Sequence, residues 1–188
     1  EAARRALALM TTEAHIELRD LDISPADAAL YQDLAGALIY PRESLRAPRP
    51  ERLANRRGQT ALWAHGISGD WPIVLGTIRD TTGLPSARQL LAAHKYWRMK
   101  GVRCDLVILN AKGPSYIQDL QDQITTMVVS SSEGGILEQP GGVFIRRVDV
   151  LPPEDVSMLR ATAAIPAAVT RRGGRSSPAT YRRSASRR

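Results

Sequence analysis

The spacing of apolar residues in the first part of the chain predicts a helix. Leucines recur at every fourth position between residues 30 and 38, which places them on one face. Ser24 is the expected N-cap and Pro25 the first helical residue. The residue before a proline avoids the helical region, so the helix should end at Tyr40, before Pro41.

Further along the chain, short apolar runs have the composition of buried strands. The first is Ile73–Leu75 and the second is Cys104–Leu109, which is apolar except for Asp105. Runs of this kind are typical of parallel strands covered on both faces. A third strand is predicted from Val143–Ile145 together with Val148–Leu151.

Helical patterns separate these strands. One helix is predicted from Pro85 to Lys100, a second over residues 116–131, and a third from Pro152 until Pro166 ends it. This alternation favours an α/β fold with right-handed crossovers. We therefore predict a small, mostly parallel three-stranded sheet with alternating helices, preceded by a helical linker.

Changes in composition divide the chain into three parts. Residues 1–57 are predicted to be a helical linker segment, loop-like over 41–57, and residues 58–166 an α/β segment. Residues 167–188 are predicted to be a disordered basic tail, since they contain too few apolar residues to fold. The first residue is not methionine, so we expect the chain to be a fragment of a larger multidomain protein.

The excess positive charge is confined to the tail. The chain has 26 basic and 19 acidic residues, and residues 171–188 contain seven arginines and no acid. The body is therefore neutral and lacks the basic stripe of a nucleic-acid-binding domain, so no specific nucleic acid partner is expected. The tail leaves open an alternative function, that of a non-catalytic binding module whose arginines contact an anionic partner.

Two further counts limit the class of protein. Cys104 is the only cysteine, which excludes an internal disulfide and fits a reducing compartment. No stretch approaches the roughly 20 apolar residues of a membrane helix. No motif for a cofactor or a metal is present, so none is predicted.

The segment from Gly58 to Ile78 contains the densest group of candidate site residues. Its glycines precede a strand, whereas a phosphate-binding loop must follow a strand and open a helix, so we exclude a nucleotide site. Trp63, His65 and Asp70 could contact a sugar. We favour a structural turn, in which Asp70 bonds local backbone N–H groups and the tryptophans pack in the core.

Other polar residues have structural interpretations that we favour over functional ones. Asn110 lies at the carboxyl end of a strand, where α/β sheets bind ligands, and is a further candidate for sugar contact. His94 shares a face with apolar residues and is expected to be a hydrogen-bonded core residue. Asp119 and Asp122 lie on one helical turn and are expected to face solvent.

Several long motifs resemble one family in the same order. They are GQTALWAHGISGDWPIVL, SARQLLAAHKYWRMKGVRCDLVILN, SYIQDLQDQI and GGVFIRRVDVLPPED, preceded by IELRDLDISPADAALYQDLAGALIYPRESLRAP. From about residue 5 to residue 166 the chain resembles an internal segment of cyclic β-1,2-glucan synthase, a large membrane-bound bacterial glucosyltransferase. The basic tail departs from that pattern.

The resemblance implies a place in a larger enzyme. The segment would lie in the cytosolic region similar to glycoside hydrolase family 94, on the cytoplasmic side of the bacterial inner membrane. Its partners would be the other domains of the parent polypeptide and β-1,2-glucan, and it would meet the membrane only through the parent. The catalytic residues of the family lie elsewhere, so none is expected here and the chain should not be catalytic alone.

Overall fold

The structure is a computed structural model that describes residues 23–112 and 117–169, together with positions 1, 2, 5, 18, 19 and 21. Its helices are α1 (Pro25–Ile39), α2 (Arg49–Ala54), α3 (Gln59–Trp63), α4 (Leu84–Met99), α5 (Ile117–Val129) and α6 (Pro153–Thr162). Its strands are β1 (Ile73–Ile78), β2 (Asp105–Asn110), β3 (Val143–Arg147) and β4 (Ile165–Val169).

The four strands found in the described residues form one sheet in the order β3-β2-β1-β4, and every pair is parallel. Ile73 pairs with Asp105, and Leu106 pairs with Val143, so the strands begin at nearly the same level. Helices α4, α5 and α6 connect successive strands. The predicted α/β fold with a small parallel sheet is confirmed.

The fourth strand corrects the prediction of a three-stranded sheet. The last helix was expected to continue to Pro166, but α6 ends at Thr162. Pro166 instead lies inside β4, opposite Leu75 of β1. A proline is tolerated in an edge strand, and β4 is an edge strand of this sheet.

Side chains alternate between the two faces of the sheet and pack into two apolar clusters. One face is covered by α4 and α5, with Trp97 and Ile124 among the buried residues. The other face is covered by α3 and α6, with Leu62 and Leu159 against Phe144. Strands covered in this way on both faces explain the nearly continuous apolar run of β2.

Helix α1 packs on α4 and so joins the first cluster. The Trp97 indole N–H donates a hydrogen bond of 2.7 Å to the carbonyl of Tyr31, and the rings of Tyr31 and Tyr96 lie 6.0 Å apart. The helix begins as predicted, because the Ser24 hydroxyl accepts a hydrogen bond from the backbone N–H of Asp27.

Two local predictions were wrong. Residues 148–151 form turns rather than a continuation of the third strand, which ends at Arg147. The region 41–57 contains a 3₁₀ turn at Glu43–Leu45 and the short helix α2 rather than loop alone. The first part of the predicted helical linker and most of the predicted basic tail lie outside the described residues.

Candidate functional site

The loop that contains Gly66, Gly69 and Asp70 follows the short helix α3 and leads into β1. Gly66 and Gly69 adopt positive φ angles of 70° and 75°, which a residue with a side chain rarely adopts. A Cβ at Gly69 would lie 3.0 Å from side-chain carbons of both Gln59 and Leu62. Glycine therefore allows the loop to fold back tightly against α3.

Two side chains of this region donate to one backbone carbonyl, and a third contacts one of the two donors. The indole N–H of Trp63 donates to the carbonyl of Ser68 at 3.0 Å, and the Gln59 amide donates to the same oxygen at 2.8 Å. The Gln59 amide nitrogen also lies 3.4 Å from a carboxylate oxygen of Asp70. We call Gln59, Trp63 and Asp70 the exposed platform.

The expectation that Trp63 packs in the core was wrong, because 59% of its surface is exposed. Asp70 is also exposed. Its backbone N–H donates to the Ser68 hydroxyl, so Asp70 takes part in the turn through its N–H rather than by accepting backbone bonds. An aromatic face beside a carboxylate and an amide has the chemistry that binds a polyol.

His65 does not join this platform. Its Nε2 lies 3.0 Å from one carboxylate oxygen of Asp155 on α6, and the Arg57 Nε lies 3.1 Å from the other. The His65 side chain is only 11% exposed. Its backbone carbonyl accepts a hydrogen bond from Arg146. His65 therefore connects the loop to α6 and β3 beneath the exposed surface.

Asn110 lies apart from the loop, at the carboxyl end of β2, whereas the loop precedes the amino end of β1. Asn110 is fully buried. Its amide nitrogen donates to Gln121 of α5 at 3.1 Å, and its amide oxygen accepts from the Lys112 N–H. The strand order reverses between β1 and β4, so Asn110 on β2 is not beside the position where such sheets bind ligands.

His94 is confirmed as a hydrogen-bonded core residue. Its two ring nitrogens lie 2.5 Å from the Glu133 carboxylate and 3.0 Å from the Cys104 carbonyl. Asp119 and Asp122 are exposed on α5, as predicted. Within the described ranges, no group of three or more histidine, cysteine or acidic residues is arranged to hold a metal ion.

Three polar residues that matter in the structure were not predicted to do so from the sequence. Gln59 lies one turn before Trp63, a spacing that places both on one side of a helix. The sequence around Glu133 does not indicate its role, because its partners Arg98 and His94 are 35 and 39 positions away. Asp105 was visible as the acid within an apolar run. It is fully buried; Gly141 donates to one of its oxygens at 2.7 Å, and the other has no hydrogen-bond partner.

In the part of the chain that the structure describes, no helix has both the length and the apolar character needed to cross a membrane. No protein-family model matches the chain.

A curated bacterial protein is similar to most of this chain. The chain is 36% identical over 149 residues to the cyclic beta-(1,2)-glucan synthase NdvB of Rhizobium meliloti (strain 1021). The match covers 79% of this chain but only 5% of that protein. The resemblance inferred from the sequence motifs is confirmed, and over most of its length this chain is related to a short segment of a cyclic β-(1,2)-glucan synthase.

Proposed function

We propose that this chain is a structural segment of a cyclic β-1,2-glucan synthase that positions the glucan-processing domains of the parent polypeptide and is not catalytic alone. The observation that carries the proposal is the 36% identity over 149 residues to such a synthase. The segment accounts for 5% of that protein, so its partners are the other domains of the same polypeptide.

The arrangement of polar side chains supports a structural role. His94, His65 and Asn110, the residues best suited to proton transfer or ligand binding, are each held by hydrogen bonds to other parts of the chain. Such bonds join helices and loops to the sheet. They are the contacts expected of a rigid support.

The exposed platform adds a contact with β-1,2-glucan to this role. The N–H of Trp63 is fixed to the Ser68 carbonyl, so the ring is held in place while 59% of the residue stays exposed. A sugar can stack its apolar face on such a ring, and the Asp70 carboxylate and Gln59 amide can bond its hydroxyls. His65 and Asn110 supply no sugar contact in this proposal.

Titration of the purified chain with β-1,2-glucooligosaccharides tests the contact. We expect a saturable shift of the Trp63 indole N–H signal in nuclear magnetic resonance spectra, with smaller changes at the other two tryptophans. Trp63→Ala and Asp70→Ala should each weaken binding at least tenfold. Because both residues are exposed, neither change should lower the thermal melting temperature by more than a few degrees.

Conservative variants provide the matched controls. Trp63→Phe keeps an aromatic face and should bind more tightly than Trp63→Ala, and Asp70→Asn keeps hydrogen-bonding atoms at the same place. A folded chain whose spectrum does not change with millimolar sugar would remove the glucan contact from the proposal. The positioning role would then stand on the similarity alone.

The positioning role is tested in a complete synthase. We expect replacement of the matching segment by this chain to preserve glucan synthesis, and an added Phe144→Ala change in the core to lower the amount of assembled enzyme. We place the segment on the cytoplasmic side of the inner membrane, held there only through the parent protein. Protease accessibility in inside-out vesicles checks that location.

The alternative function, a binding module that uses the Arg-rich tail, makes a different prediction. Deletion of residues 170–188, which follow β4, should abolish binding to an anionic polymer such as heparin if the tail is the functional element. Under our proposal the same deletion leaves glucan binding and synthase assembly unchanged.

A further inference from the structure

Outside the tail, the net positive charge of the chain is concentrated in residues 41–57, which connect α1 to α3 and include α2. We call these residues the arginine-rich connector, since they contain six arginines and two glutamates. Removing these and the seven arginines of residues 171–188 from the chain's 26 basic and 19 acidic residues leaves 13 basic and 17 acidic ones. The connector is therefore a basic segment on a body that is otherwise slightly acidic.

Arginine–carboxylate pairs fix the connector to the fold near both of its ends. Arg42 donates through its two terminal nitrogens to the two carboxylate oxygens of Asp33 on α1, at 3.1 and 2.9 Å. A pair of this bidentate kind holds both side chains in one orientation. At the other end, the Arg57 Nε lies 3.1 Å from the Asp155 carboxylate of α6, and α2 itself contacts α6. The connector is therefore held in place by its neighbours.

An open hollow of about 490 Å³ lies in the middle of the connector and is lined by Glu43, Arg49, Arg52 and Leu53. Arg52 is paired with Glu43, but its Nε–H has no hydrogen-bond acceptor among the described residues. Arg49 is exposed, and within the same described ranges it takes part in no ion pair. The hollow therefore contains more donors and positive charge than its own acceptor groups satisfy.

Exposed apolar surface accompanies this charge. The two most exposed large apolar residues of the described chain are Tyr40, at 77%, and Leu53, at 68%. Tyr40 directly precedes the connector, and Leu53 lines the hollow. Tyrosine and arginine are enriched in protein–protein interfaces, where an apolar contact lies beside a charged one. The composition of this surface is thus that of an interface with another protein surface.

The same residues argue against a polyanion as the partner. Glu43 lies in the hollow, and Glu51 lies two positions after Arg49 on α2, so a dense row of phosphates would meet like charges. Leu53 gives a phosphate nothing to bond. A single carboxylate with an apolar neighbour, as on the surface of a protein, avoids both difficulties.

We propose that the arginine-rich connector is a docking surface for an acidic segment of the parent polypeptide, with a carboxylate paired to Arg49 and a neighbouring apolar side chain packed on Leu53. This inference rests on the proposed function, which makes the other domains of that polypeptide the partners, and it goes further by naming the surface they contact. The match to the related synthase covers only 5% of that protein, which leaves most of such a polypeptide as a source of the acidic segment.

Nuclear magnetic resonance of the full chain tests the surface without the parent protein. The probe is a synthetic peptide of glutamate and leucine residues. We expect saturable shifts of the Leu53 methyl signals, and Arg49→Gln should weaken binding at this surface at least fivefold. Arg88→Gln changes an exposed arginine of α4 and is the matched control that should leave the shifts unchanged. Leu53 signals that do not move at millimolar peptide would overturn the proposal.

The Leu53 signals also distinguish the kinds of anion. Peptide bound by the basic tail does not contact Leu53, so it does not imitate the expected result. Inorganic phosphate and heparin should leave the Leu53 methyl signals in place, because neither supplies an apolar group. Equal shifts with phosphate or heparin would show a general anion site and would overturn the assignment of a protein partner.

Cross-linking in a complete synthase identifies the partner segment. The synthase carries this chain in place of its matching segment, with Leu53 replaced by a photoreactive amino acid. We expect a cross-link to a peptide outside the segment that contains aspartate or glutamate. The same replacement at Val129, which is 58% exposed on α5, is the matched control and should not reach that peptide. Arg49→Glu should lower the yield at least fivefold, and exchanging the partner acid for arginine should restore it.

The outcomes separate this inference from the proposed function. A synthase that assembles and makes glucan but gives no cross-link from position 53 to another part of the polypeptide would overturn the docking surface and leave the proposed function intact. A synthase that fails to assemble with this chain in place would count against the proposed function. The peptide titration of the full chain would then still decide whether the connector binds an acidic segment.

Discussion

Two groups of similar composition lie on opposite faces of the sheet, and each contains a histidine, a carboxylate and an arginine. On the α6 face, His65 and Arg57 meet Asp155. On the α4 face, His94 and Arg98 meet Glu133. The residue types are nearly the same, but the surroundings of the two rings differ.

The difference is the number of acceptors that each ring must satisfy. Among the described residues, the His65 ring makes one hydrogen-bond contact, between its Nε2 and the Asp155 carboxylate. His94 has an acceptor at each nitrogen and no contact with solvent. The His94 ring therefore ties α4 to two other parts of the chain, whereas the His65 ring ties its loop to α6 alone.

The largest expected effect comes from removing each ring in turn. His94→Gln leaves the buried Glu133 carboxylate with Arg98 as its remaining partner, and leaving a buried charged group short of a hydrogen bond typically costs about 3 kcal/mol. His65→Gln leaves Arg57 beside Asp155 and should cost about 1 kcal/mol. Urea denaturation at neutral pH measures both, and equal losses from the two variants would remove the distinction between the groups.

A second prediction concerns how the free energy of unfolding changes at acidic pH. The pKa of Glu133 is lowered from its ordinary 4.5, so its contribution is present above that pH and is lost as the pH falls through the lower folded value. Glu133→Gln should therefore destabilise the chain by about 2 kcal/mol at neutral pH, and by less below about pH 4.

Arg98→Gln is the control for Glu133, since it removes only the partly exposed partner of that carboxylate. We expect it to lower stability by less than Glu133→Gln. If the cost of Glu133→Gln were the same at pH 3 and pH 7, Glu133 would not be ionised in the folded chain.

The alternation of patterns in the sequence was sufficient to predict the fold class. The starts of α1 and α4, the buried strand β2 and the apolar stripe of α5 follow from local periodicity and capping. The fourth strand was missed because Ile165–Val169 contains a proline and two alanines, which give no local strand signal. Pairing with β1, a tertiary contact, decides its conformation.

The candidate site was predicted less well, because its geometry depends on distant partners. Trp63, His65 and Asp70 are close in sequence, yet His65 turns inward to Asp155, which lies 90 positions away. The expectation for His94 was correct about burial but could not include its contact with Glu133, 39 positions away. Because Trp63 and Asp70 are close in the sequence, they could be predicted to lie near each other. The direction in which each side chain points could be known only from the fold.

The smallest expected effect concerns Asp105, which is a third buried carboxyl in addition to Glu133 and Asp155. Burial raises the pKa of Asp105, despite the Gly141 hydrogen bond and nearby His94, and one of its oxygens has no hydrogen-bond partner. A raised pKa means that its favourable contribution is complete below about pH 3.8 and is lost as the pH rises through the folded value.

Asp105→Asn retains an oxygen for the Gly141 N–H and removes the buried charge. We expect it to stabilise the chain by roughly 1 kcal/mol at neutral pH, and to be neutral or destabilising near pH 3, where the wild-type carboxyl is already protonated. Urea denaturation at the two pH values makes the comparison. Destabilisation of similar size at both would show that the Asp105 charge is compensated in the fold, as that of Glu133 is.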